Sequence, residues 1–272
     1  MALYDRIGRT YDVTRRADPY ITSRLLSLLS PTPQVAYLDV ACGSGNYTSA
    51  LAARGVRMVG LDLSPLMLRS ARGKSSSVSW VNANAASLPF PNGVMGGAVC
   101  TLAFHHFPAV GPVLAEVGRV VSPGGRFVGF TSTPEQMERY WLNHYFPKAL
   151  TRSAQRMPGL PLMLEGLQAA GFHVVTTEPY RVAEDLQDLF LYGGKHRPEL
   201  YLDPRVRAGM STFANLSGAD EVERGCRLLA QDIASGRIAE IRRSYEHPNG
   251  DYLFLVARKT RRGRRTGGTV EP

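Results

Sequence analysis

The sequence has few cysteines and no long uninterrupted apolar run, and each shortage excludes a class of protein. Three cysteines, Cys42, Cys100 and Cys226, occur among 272 residues. They are widely spaced and form no CxxC pair, which excludes a disulfide framework or a cysteine zinc site and favours a reducing, cytoplasmic setting. No stretch approaches the roughly 18 apolar residues of a membrane span, and the N-terminus is charged where a signal peptide would be apolar. We therefore expect neither membrane insertion nor export.

The positive charge of the chain is concentrated at one end. Lysine and arginine outnumber the acidic residues by 32 to 23, a formal net charge of +9. The last segment, RKTRRGRRTGGTVEP, holds six of those basic residues and one glutamate, with almost no apolar residue. We expect residues 259–272 to be a disordered basic tail that aids solubility, with contact to RNA or an anionic surface as the lesser alternative. The rest of the chain, at 44% hydrophobic and 20% charged residues overall, has the composition of a globular domain.

Apolar runs of strand length alternate with segments of helical period through the first 180 residues. The predicted strands are 35–41, 57–61, 78–81, 98–102 and 126–131, after a helix over 19–29. This order is typical of repeated β-α units, so we predict an α/β fold with a doubly wound sheet. The pattern then predicts helices over 135–157 and 160–170, a strand over 172–177, a mostly helical insertion and a final strand over 251–257. That last strand fits an antiparallel position next to the fifth.

The unit with the clearest chemistry is a strand, a Gly-x-Gly turn, a helix and an acidic residue after the next strand. Gly43 and Gly45 allow a sharp turn and let the backbone approach a ligand. Asp62, at the end of the second strand, can accept hydrogen bonds from both ribose hydroxyls of an adenosine. The position that a dinucleotide site gives to a third small residue is Thr48. This bulky, polar turn argues against a pyrophosphate and favours a cofactor without one, such as S-adenosylmethionine.

The sequence resembles the class I S-adenosylmethionine-dependent methyltransferases, and among them the ubiquinone/menaquinone biosynthesis, or methyltransferase type 11, group. The matching segments are LDVACGSG (38–45), VGLDLSPLML (59–68), NANAASLPFP (82–91) and EVGRVVSPGGRF (116–127), with the opening LYDRIGRTYD. The resemblance implies a seven-stranded Rossmann-like sheet with an N-terminal helix and a largely helical C-terminal insertion that forms a cap. The sequence departs from the family at residues 95–98, MGGA, where an aspartate usually opens the fourth strand. This departure puts the order of the preceding loop in question.

The resemblance also implies a division of the chain. Its parts are a cofactor-covering segment (1–34), a methyltransferase core (35–183) with a lid at 134–157, a helical insertion (184–249), the final strand (250–258) and the basic tail (259–272).

Cofactor-binding residues are carried over from the resemblance by position. They are Tyr11, Arg16, Asp39, Gly43, Gly45, Asp62, Leu63, Asn84, Ala85, Thr101 and Leu102. The two glycines would face the methionine portion, while Asp39 would anchor the turn and reach the amino group, directly or through water. Asp62 would hold the ribose, Leu63 would pack on the adenine, and the Asn-Ala pair would lie at the adenine edge. The residues after the fourth strand would lie beneath the sulfonium, and Tyr11, with Arg15 or Arg16, would fold over the cofactor.

Two histidines are the candidate general bases. His105 and His106 follow the fourth strand, at the edge where such sheets bind ligands. Neighbours on an extended segment point in opposite directions, so we expect at most one of them to face the pocket. A histidine packed between Phe104 and Phe107 is an equal alternative.

Two further segments are candidates for the substrate side. Trp141 and Tyr145, four residues apart after the fifth strand, can share one face of a substrate-covering lid, with core packing as the alternative. Lys195, His196 and Arg197 lie near a flexible Gly pair and suggest a clamp for an anionic substrate group, with a solvated loop as the alternative.

Together these features predict an enzyme that moves a methyl group from S-adenosylmethionine to an oxygen, nitrogen or carbon atom of a small molecule by in-line displacement. No metal site is expected, and the setting is cytoplasmic. An RNA or protein methyltransferase is one alternative, suggested by the tail but weakened because TLAF follows the fourth strand instead of a base-targeting tetrad. A non-catalytic regulatory protein that binds the cofactor is another. The expected partner is the small-molecule substrate, without a membrane, with nucleic acid disfavoured and a homodimer left open.

Overall fold

The sheet confirms the predicted α/β class. The computed structural model describes residues 11–261, except for the side chains of Tyr11 and Val13. Its seven strands lie in the order β3-β2-β1-β4-β5-β7-β6. They are β1 (Ala36–Val40), β2 (Arg57–Asp62), β3 (Ser79–Asn82), β4 (Met95–Thr101), β5 (Val121–Thr131), β6 (Phe172–Tyr180) and β7 (Tyr252–Lys259). The first five strands are parallel, and β7 lies antiparallel between β5 and β6. The final strand therefore occupies the predicted place beside the fifth.

Helices cover both faces of this sheet. They are α1 (Tyr11–Thr14), α2 (Pro19–Leu29), α3 (Asn46–Ala52), α4 (Pro65–Lys74), α5 (Val110–Val120), α6 (Pro134–Met137), α7 (Pro147–Ala154), α8 (Leu160–Ala169), α9 (Pro204–Ala208), α10 (Ser211–Asn215), α11 (Ala219–Ser235) and α12 (Ile238–Ser244). Short 3-10 helices span Phe104–His106, Trp141–His144 and Pro198–Leu202. The region after β6 is thus mostly helical, as predicted.

Alternation along the strands explains why the sheet is buried on both sides. On β4, Val99 packs in one hydrophobic cluster while Ala98 and Cys100 pack in the other. On β5, Val128 and Phe127 divide between the two clusters in the same way. Successive side chains of a strand point to opposite faces, so these continuous apolar runs require helices above and below.

Local signals set several helix boundaries. Asp18 caps α2 by accepting a hydrogen bond from the Ile21 N–H at 3.0 Å, and Pro19 occupies the first helical position. Ser64 and Pro65 begin α4 in the same manner, with the Ser64 hydroxyl accepting from the Met67 N–H at 3.3 Å. The bounds of α2 match the helix predicted over 19–29.

The topology creates one crevice at the carboxyl edge of the sheet. The strand order reverses between β1 and β4. The segments that follow these two neighbouring strands therefore turn to opposite sides of the sheet. Ligands of open α/β sheets bind at such a switch point, outside the carboxyl ends of the strands. The Gly-x-Gly turn follows β1, Asp62 ends β2, and the two histidines follow β4.

The predicted single helix over 135–157 is wrong. The chain there forms α6, a 3-10 turn and α7. Asn143 Nδ2 donates to the carbonyl oxygens of Met137 and Tyr140, both at 2.8 Å, and so takes acceptors that a continuous helix would use. Pro147, which lacks an N–H, then begins α7.

The final strand is also longer than predicted. It ends at Lys259, and the Thr260 N–H donates to the carbonyl of Gly171 at 3.0 Å, so the basic tail does not begin at 259. The rest of that predicted tail, 262–272, lies outside the described residues.

The loop before β4 is held in place, although the sequence departs from the family pattern at residues 95–98. A Cβ at Gly97 would lie 2.6 Å from the Arg126 carbonyl oxygen, so close strand packing requires glycine there. Glu116 on α5 accepts from the Leu88 N–H at 2.7 Å, and Arg119 donates to the carbonyls of Leu88 and Phe90 at 2.8 and 2.7 Å. These two side chains, both in the matched segment 116–127, hold the loop.

Candidate cofactor and active site

A cavity of about 280 Å³ lies at the carboxyl ends of β1, β2 and β4. The sequence-predicted residues that line it are Asp39, Gly43, Asp62, Leu63, Asn84, Ala85, Thr101, Leu102, His105 and His106. The structure therefore brings most of the candidate cofactor and catalytic residues to one place. Four candidates do not line it in the described part of the chain: Gly45, Arg16 and the substrate candidates Trp141 and Tyr145 lie elsewhere.

Asp62 ties the two ligand-facing loops together. Its Oδ2 accepts from the Gly43 N–H and its Oδ1 from the Ser64 N–H, both at 2.8 Å. Burial raises the pKa of this carboxyl, while backbone hydrogen bonds from Ser64, Gly43 and Leu63 oppose that rise. An ionised carboxylate has about four acceptor sites, so these three donors leave room for a further one.

Two buried oxygens in the cavity have no hydrogen-bond partner among the described residues. Asp39 Oδ2 accepts from the Thr48 hydroxyl at 2.5 Å, whereas Asp39 Oδ1 and Thr101 Oγ1 accept and donate nothing. Burial raises the pKa of Asp39 to about 7. Unpartnered buried polar atoms are costly, and Asp39 and Thr101 both line the cavity, so a ligand or an ordered water there can complete them.

The two glycines of the turn have different reasons to be glycine. Gly43, at φ +55°, lines the cavity, and a Cβ there would meet no protein atom within 4 Å. Gly45, at φ +73°, does not line the cavity, and its Cβ would lie 2.3 Å from the Trp80 ring. The expectation that Gly45 faces the ligand therefore changes to a packing role.

This difference predicts a stability effect that a ligand-facing glycine would not show. Gly45→Ala introduces both a left-handed alanine and an overlap with Trp80, while Gly55→Ala, at φ +86° with an open Cβ position, introduces the strain alone. We expect the Gly45 variant to lose about 1–3 kcal/mol more unfolding free energy than the Gly55 variant. Urea unfolding measures both. Trp80→Leu should restore part of the difference, and equal losses in the two variants would contradict the packing role.

An exposed leucine marks the opposite wall of the cavity. Leu63 lies in the middle of the matched segment 59–68, and it is 60% exposed. Asn84, also exposed, uses its Oδ1 to accept from the Ala86 N–H at 2.9 Å, and this bond fixes its amide in the loop after β3. A flat ring can rest on the leucine and meet the polar edge of this loop.

The two histidines lie on a 3-10 turn instead of an extended segment. Both line the cavity, and their ring centroids are 3.7 Å apart, so the expectation that only one faces the pocket is wrong. Phe104, 1% exposed, packs edge-on against Phe107 and Phe127 and thereby fixes the turn. Burial lowers the pKa of His105 to about 4, and the positive charges of Arg15 and Arg156 act in the same direction.

Arg15 occupies the place expected for Arg16. Arg16 is exposed, whereas Arg15 lines the cavity and pairs with Asp188 of the insertion, at 2.5 Å from Nε to Oδ1. Asp188 is 1% exposed and also accepts from the Tyr47 hydroxyl at 3.0 Å. No local pattern points to Asp188, because its partner Arg15 lies 173 residues away in the chain. The side chain of Tyr11 lies outside the described residues.

A second contact holds the N-terminal segment against the glycine turn. Lys74 Nζ donates to Asp12 Oδ1 at 2.6 Å and to the Ser44 carbonyl at 2.9 Å. Asp12 also accepts from the Ser44 hydroxyl at 2.6 Å, and Asn46 Nδ2 donates to the Arg15 carbonyl at 3.1 Å. These contacts hold residues 12–15 beside the glycine turn, with Arg15 in the cavity wall.

A smaller cavity, of about 60 Å³, adjoins the first and shares Arg15, Leu102 and His105 with it. We call it the inner chamber. The ends of β5 and β7, the helices α6, α7 and α10, and the insertion segment around Phe190 enclose it. His106 does not line it among the described residues, so His105 is the histidine that borders both spaces.

The predicted substrate lid is part of the core. Trp141 and Tyr145 are 1% and 2% exposed, because helices of the insertion cover them. Trp141 Nε1 donates to the Lys195 carbonyl at 3.2 Å, and the Tyr145 hydroxyl donates to Asp232 Oδ2 at 2.9 Å. Their burial fits core packing, which was the alternative to a substrate-covering lid.

The predicted anionic clamp is absent from the cofactor cavity. Lys195 pairs with buried Asp251 at 2.8 Å, and His196 contacts the Val182 carbonyl at 2.9 Å, both in a separate cleft. Arg197 donates to the Leu186 carbonyl at 2.6 Å.

Two classes of feature are absent from residues 11–261. No helix there is long and apolar enough to cross a bilayer. No group of three or more His, Cys, Asp or Glu side chains in that range is placed to hold a metal ion.

Known proteins resemble both the sequence and the fold. A model of the methyltransferase domain matches residues 38–129. A demethylmenaquinone methyltransferase from Thermus thermophilus is 30% identical over 161 residues, which are 54% of this chain and 73% of that protein. A crystal structure described as a methyltransferase of an antibiotic biosynthesis pathway from Anabaena variabilis has a TM-score of 0.80 at 32% identity, over 89% of this chain and 98% of that one. The (4+2)-cyclase SpnF, with a TM-score of 0.53 and 22% identity over 89% of this chain and 80% of that one, shares the fold alone.

The strand order, the glycine turn with its acidic residue, and these similarities agree. The chain belongs to the class I S-adenosylmethionine-dependent methyltransferases, in the methyltransferase type 11 group, and is an enzyme that transfers methyl groups.

Proposed function

We propose that the cofactor cavity binds S-adenosylmethionine and that the enzyme methylates an oxygen, nitrogen or carbon atom of a small-molecule metabolite. One observation carries the proposal: Asp39 Oδ1 and Thr101 Oγ1 are buried and unpartnered in the same cavity as Asp62. A ligand with an ammonium group and a ribose would satisfy these oxygens. The Thermus relative, named for methylation of a menaquinone precursor, supports a small-molecule acceptor.

The residues present fit this cofactor. Asp39 would receive the ammonium group, directly or through water, and the bare backbone of Gly43 would lie along the methionine portion. The remaining acceptor capacity of Asp62 would serve the ribose hydroxyls. Leu63 would cover the adenine, with Asn84 and Ala85 at its edge, and each of these side chains already faces the cavity.

The protein's part in the reaction is mainly alignment. When bound, the cofactor supplies a methyl group activated by a sulfonium. Holding the nucleophile, the methyl group and the sulfur in line can lower the barrier by up to about 7–11 kcal/mol. For a hydroxyl acceptor, His105 would take the proton on its neutral ring as the acceptor oxygen bonds to the methyl carbon. The cofactor would supply that methyl group and keep the electron pair of the broken carbon–sulfur bond on its sulfur.

The raised pKa of Asp39 predicts pH-dependent cofactor binding. Below its pKa of about 7 the carboxyl is protonated and cannot pair with an ammonium group, so binding must release a proton. We expect the affinity for S-adenosylhomocysteine to rise by up to about tenfold per pH unit between about pH 5 and 7. Calorimetry in buffers of different ionisation enthalpy measures the proton released. Asp39→Asn should bind with little pH dependence, and an unchanged slope in that variant would refute the contact.

The proposed activity is tested by incubating the full chain with methyl-labelled S-adenosylmethionine and a metabolite extract, followed by mass spectrometry. Labelled small molecules heavier by one methylene unit support the proposal. Cofactor bound without any labelled product would favour the non-catalytic alternative. Label in RNA that disappears on deletion of residues 262–272 and with added salt would favour the RNA alternative.

We further propose that the enzyme works in the cytoplasm on its small-molecule acceptor. The widely spaced cysteines support a reducing compartment, since Cys42, Cys100 and Cys226 are all free thiols. We also propose a homodimer, and size-exclusion chromatography with light scattering measures the oligomeric state that tests it.

A further inference from the structure

The inner chamber meets the cofactor cavity at the position where a methyl acceptor must arrive. Leu102 and His105, which follow β4, belong to the walls of both. Thr131 and Ser132, at the end of β5, close the chamber next to them. A molecule in the chamber therefore touches the proposed general base and faces the space assigned to the sulfonium.

Flexible apolar side chains form much of the chamber wall. Met137 enters from α6, Met157 from the turn after α7 and Met210 from the turn before α10. Phe190 and Leu191 enter from the insertion. Methionine side chains are unbranched and fill irregular space around apolar groups. The wall suits a compact apolar body, such as a single ring.

Among its described lining residues, the chamber offers an anion no cation that is not already paired. Arg15 is the charged side chain among its described lining residues, and both of its contacts to Asp188, at 2.5 and 3.2 Å, use the guanidinium. Asp188 is buried and fully engaged with Arg15 and Tyr47. A carboxylate or phosphate would lose its hydration here without gaining a new cation.

One hydroxyl hydrogen in the wall has no acceptor. Ser153 and Thr212 are 7% and 2% exposed, and their hydroxyl oxygens lie 2.9 Å apart. Their mutual hydrogen bond uses one hydroxyl hydrogen, and each hydroxyl carries one, so the second is left over. No other side-chain hydrogen bond of this pair exists among the described residues. The hydroxyls of Ser132 and Thr131 differ, since Ser132 contacts the Tyr140 hydroxyl at 2.8 Å and Thr131 donates to the Ser132 carbonyl at 3.2 Å.

We infer that the inner chamber binds the methyl acceptor, and that this acceptor is a neutral, compact, mainly apolar molecule. The acceptor carries its nucleophilic group on the side that faces His105. At another position it carries an oxygen that accepts a hydrogen bond from the Ser153–Thr212 pair. The inference rests on the proposed function, because it places the acceptor of the same reaction. It excludes acceptors whose anionic group would have to enter the chamber.

Three matched phenols test this inference on the full chain with S-adenosylhomocysteine bound. 4-Hydroxyacetophenone is neutral and carries an acceptor oxygen, 4-hydroxybenzoate replaces the acetyl group by a carboxylate, and 4-ethylphenol removes the acceptor oxygen. Their affinities are measured by ligand-observed NMR titration. We expect the ketone to bind at least about tenfold more tightly than the benzoate. We also expect it to bind about three- to tenfold more tightly than the ethylphenol.

A double variant identifies the hydrogen-bond donor. Ser153→Ala with Thr212→Val should remove the preference for the ketone over the ethylphenol and leave S-adenosylhomocysteine affinity unchanged. Met157→Phe, at a half-buried position, should weaken the binding of all three probes because the larger side chain fills the chamber. This variant tests the inference if the double variant does not fold. Benzoate binding as tight as ketone binding, or no probe binding at all, overturns the inference. Failure to bind S-adenosylhomocysteine would instead overturn the proposed function.

Discussion

His105→Gln should lower kcat for a hydroxyl acceptor by about 10²–10⁴-fold. Glutamine keeps a polar side chain of similar size but cannot take a proton at neutral pH. His105 borders both the cofactor cavity and the inner chamber, whereas His106 borders the first alone among the described residues. We therefore expect His106→Gln to have a much smaller effect. Turnover of the acceptor found in the labelled-methyl screen measures both variants.

The pH profile adds a second check on His105. Its pKa of about 4 lies below the ordinary value because burial and the nearby arginines disfavour the charged ring. The neutral form, which accepts the proton, is present above that pKa, so kcat/KM should not fall from His105 protonation until the pH approaches about 4 to 5. Equal losses in the two histidine variants, or a parent profile that falls between about pH 6 and 7 and loses that fall in His105→Gln, would contradict the assignment.

Asp62→Ala should weaken S-adenosylhomocysteine binding by about 2–3 kcal/mol, or roughly 30- to 150-fold. The change removes the proposed acceptor for the ribose hydroxyls and the observed acceptor for the N–H groups of Gly43 and Ser64. Asp62→Asn, which keeps one carbonyl oxygen, should lie between the parent and the alanine variant. Calorimetry measures the affinities.

The ribose contact can be separated from the structural role of Asp62. A 2′,3′-dideoxy analogue of S-adenosylhomocysteine lacks the hydroxyls, so it should bind the parent weakly and lose little more affinity in Asp62→Ala. The coupling between the two changes reports the direct contact. Simple additivity of the two losses would mean that the carboxylate does not touch the ribose.

Local sequence patterns were sufficient for the cofactor half of the site. The strand, the Gly-x-Gly turn and Asp62 lie within the 27 residues from Ala36 to Asp62, and a parallel β1–β2 pair brings the strand ends together. Alternation between helical and strand periods therefore predicts both the elements and their common edge.

The acceptor half depends on contacts between distant segments. Arg15 meets Asp188, and Ser153 meets Thr212, across 173 and 59 residues. No local periodicity encodes such pairs. Burial by the insertion also explains why Trp141, whose spacing suits a lid, lies in the core.

The turn at the histidines shows a related limit. Phe104 and its neighbours carry no glycine or proline signal for a turn, so an extended segment was the natural prediction. Packing of Phe104 against Phe107 and Phe127 selects the 3-10 conformation instead, which brings both imidazoles to the cavity. Tertiary contacts here outweigh local preference.

A crystal structure of the full chain with S-adenosylhomocysteine tests the central claim most directly. The account predicts the ribose hydroxyls within hydrogen-bond distance of Asp62, the ammonium group at Asp39 Oδ1 and the adenine on Leu63. A ligand bound elsewhere, or an Asp62 carboxylate turned away from the sugar, would contradict it.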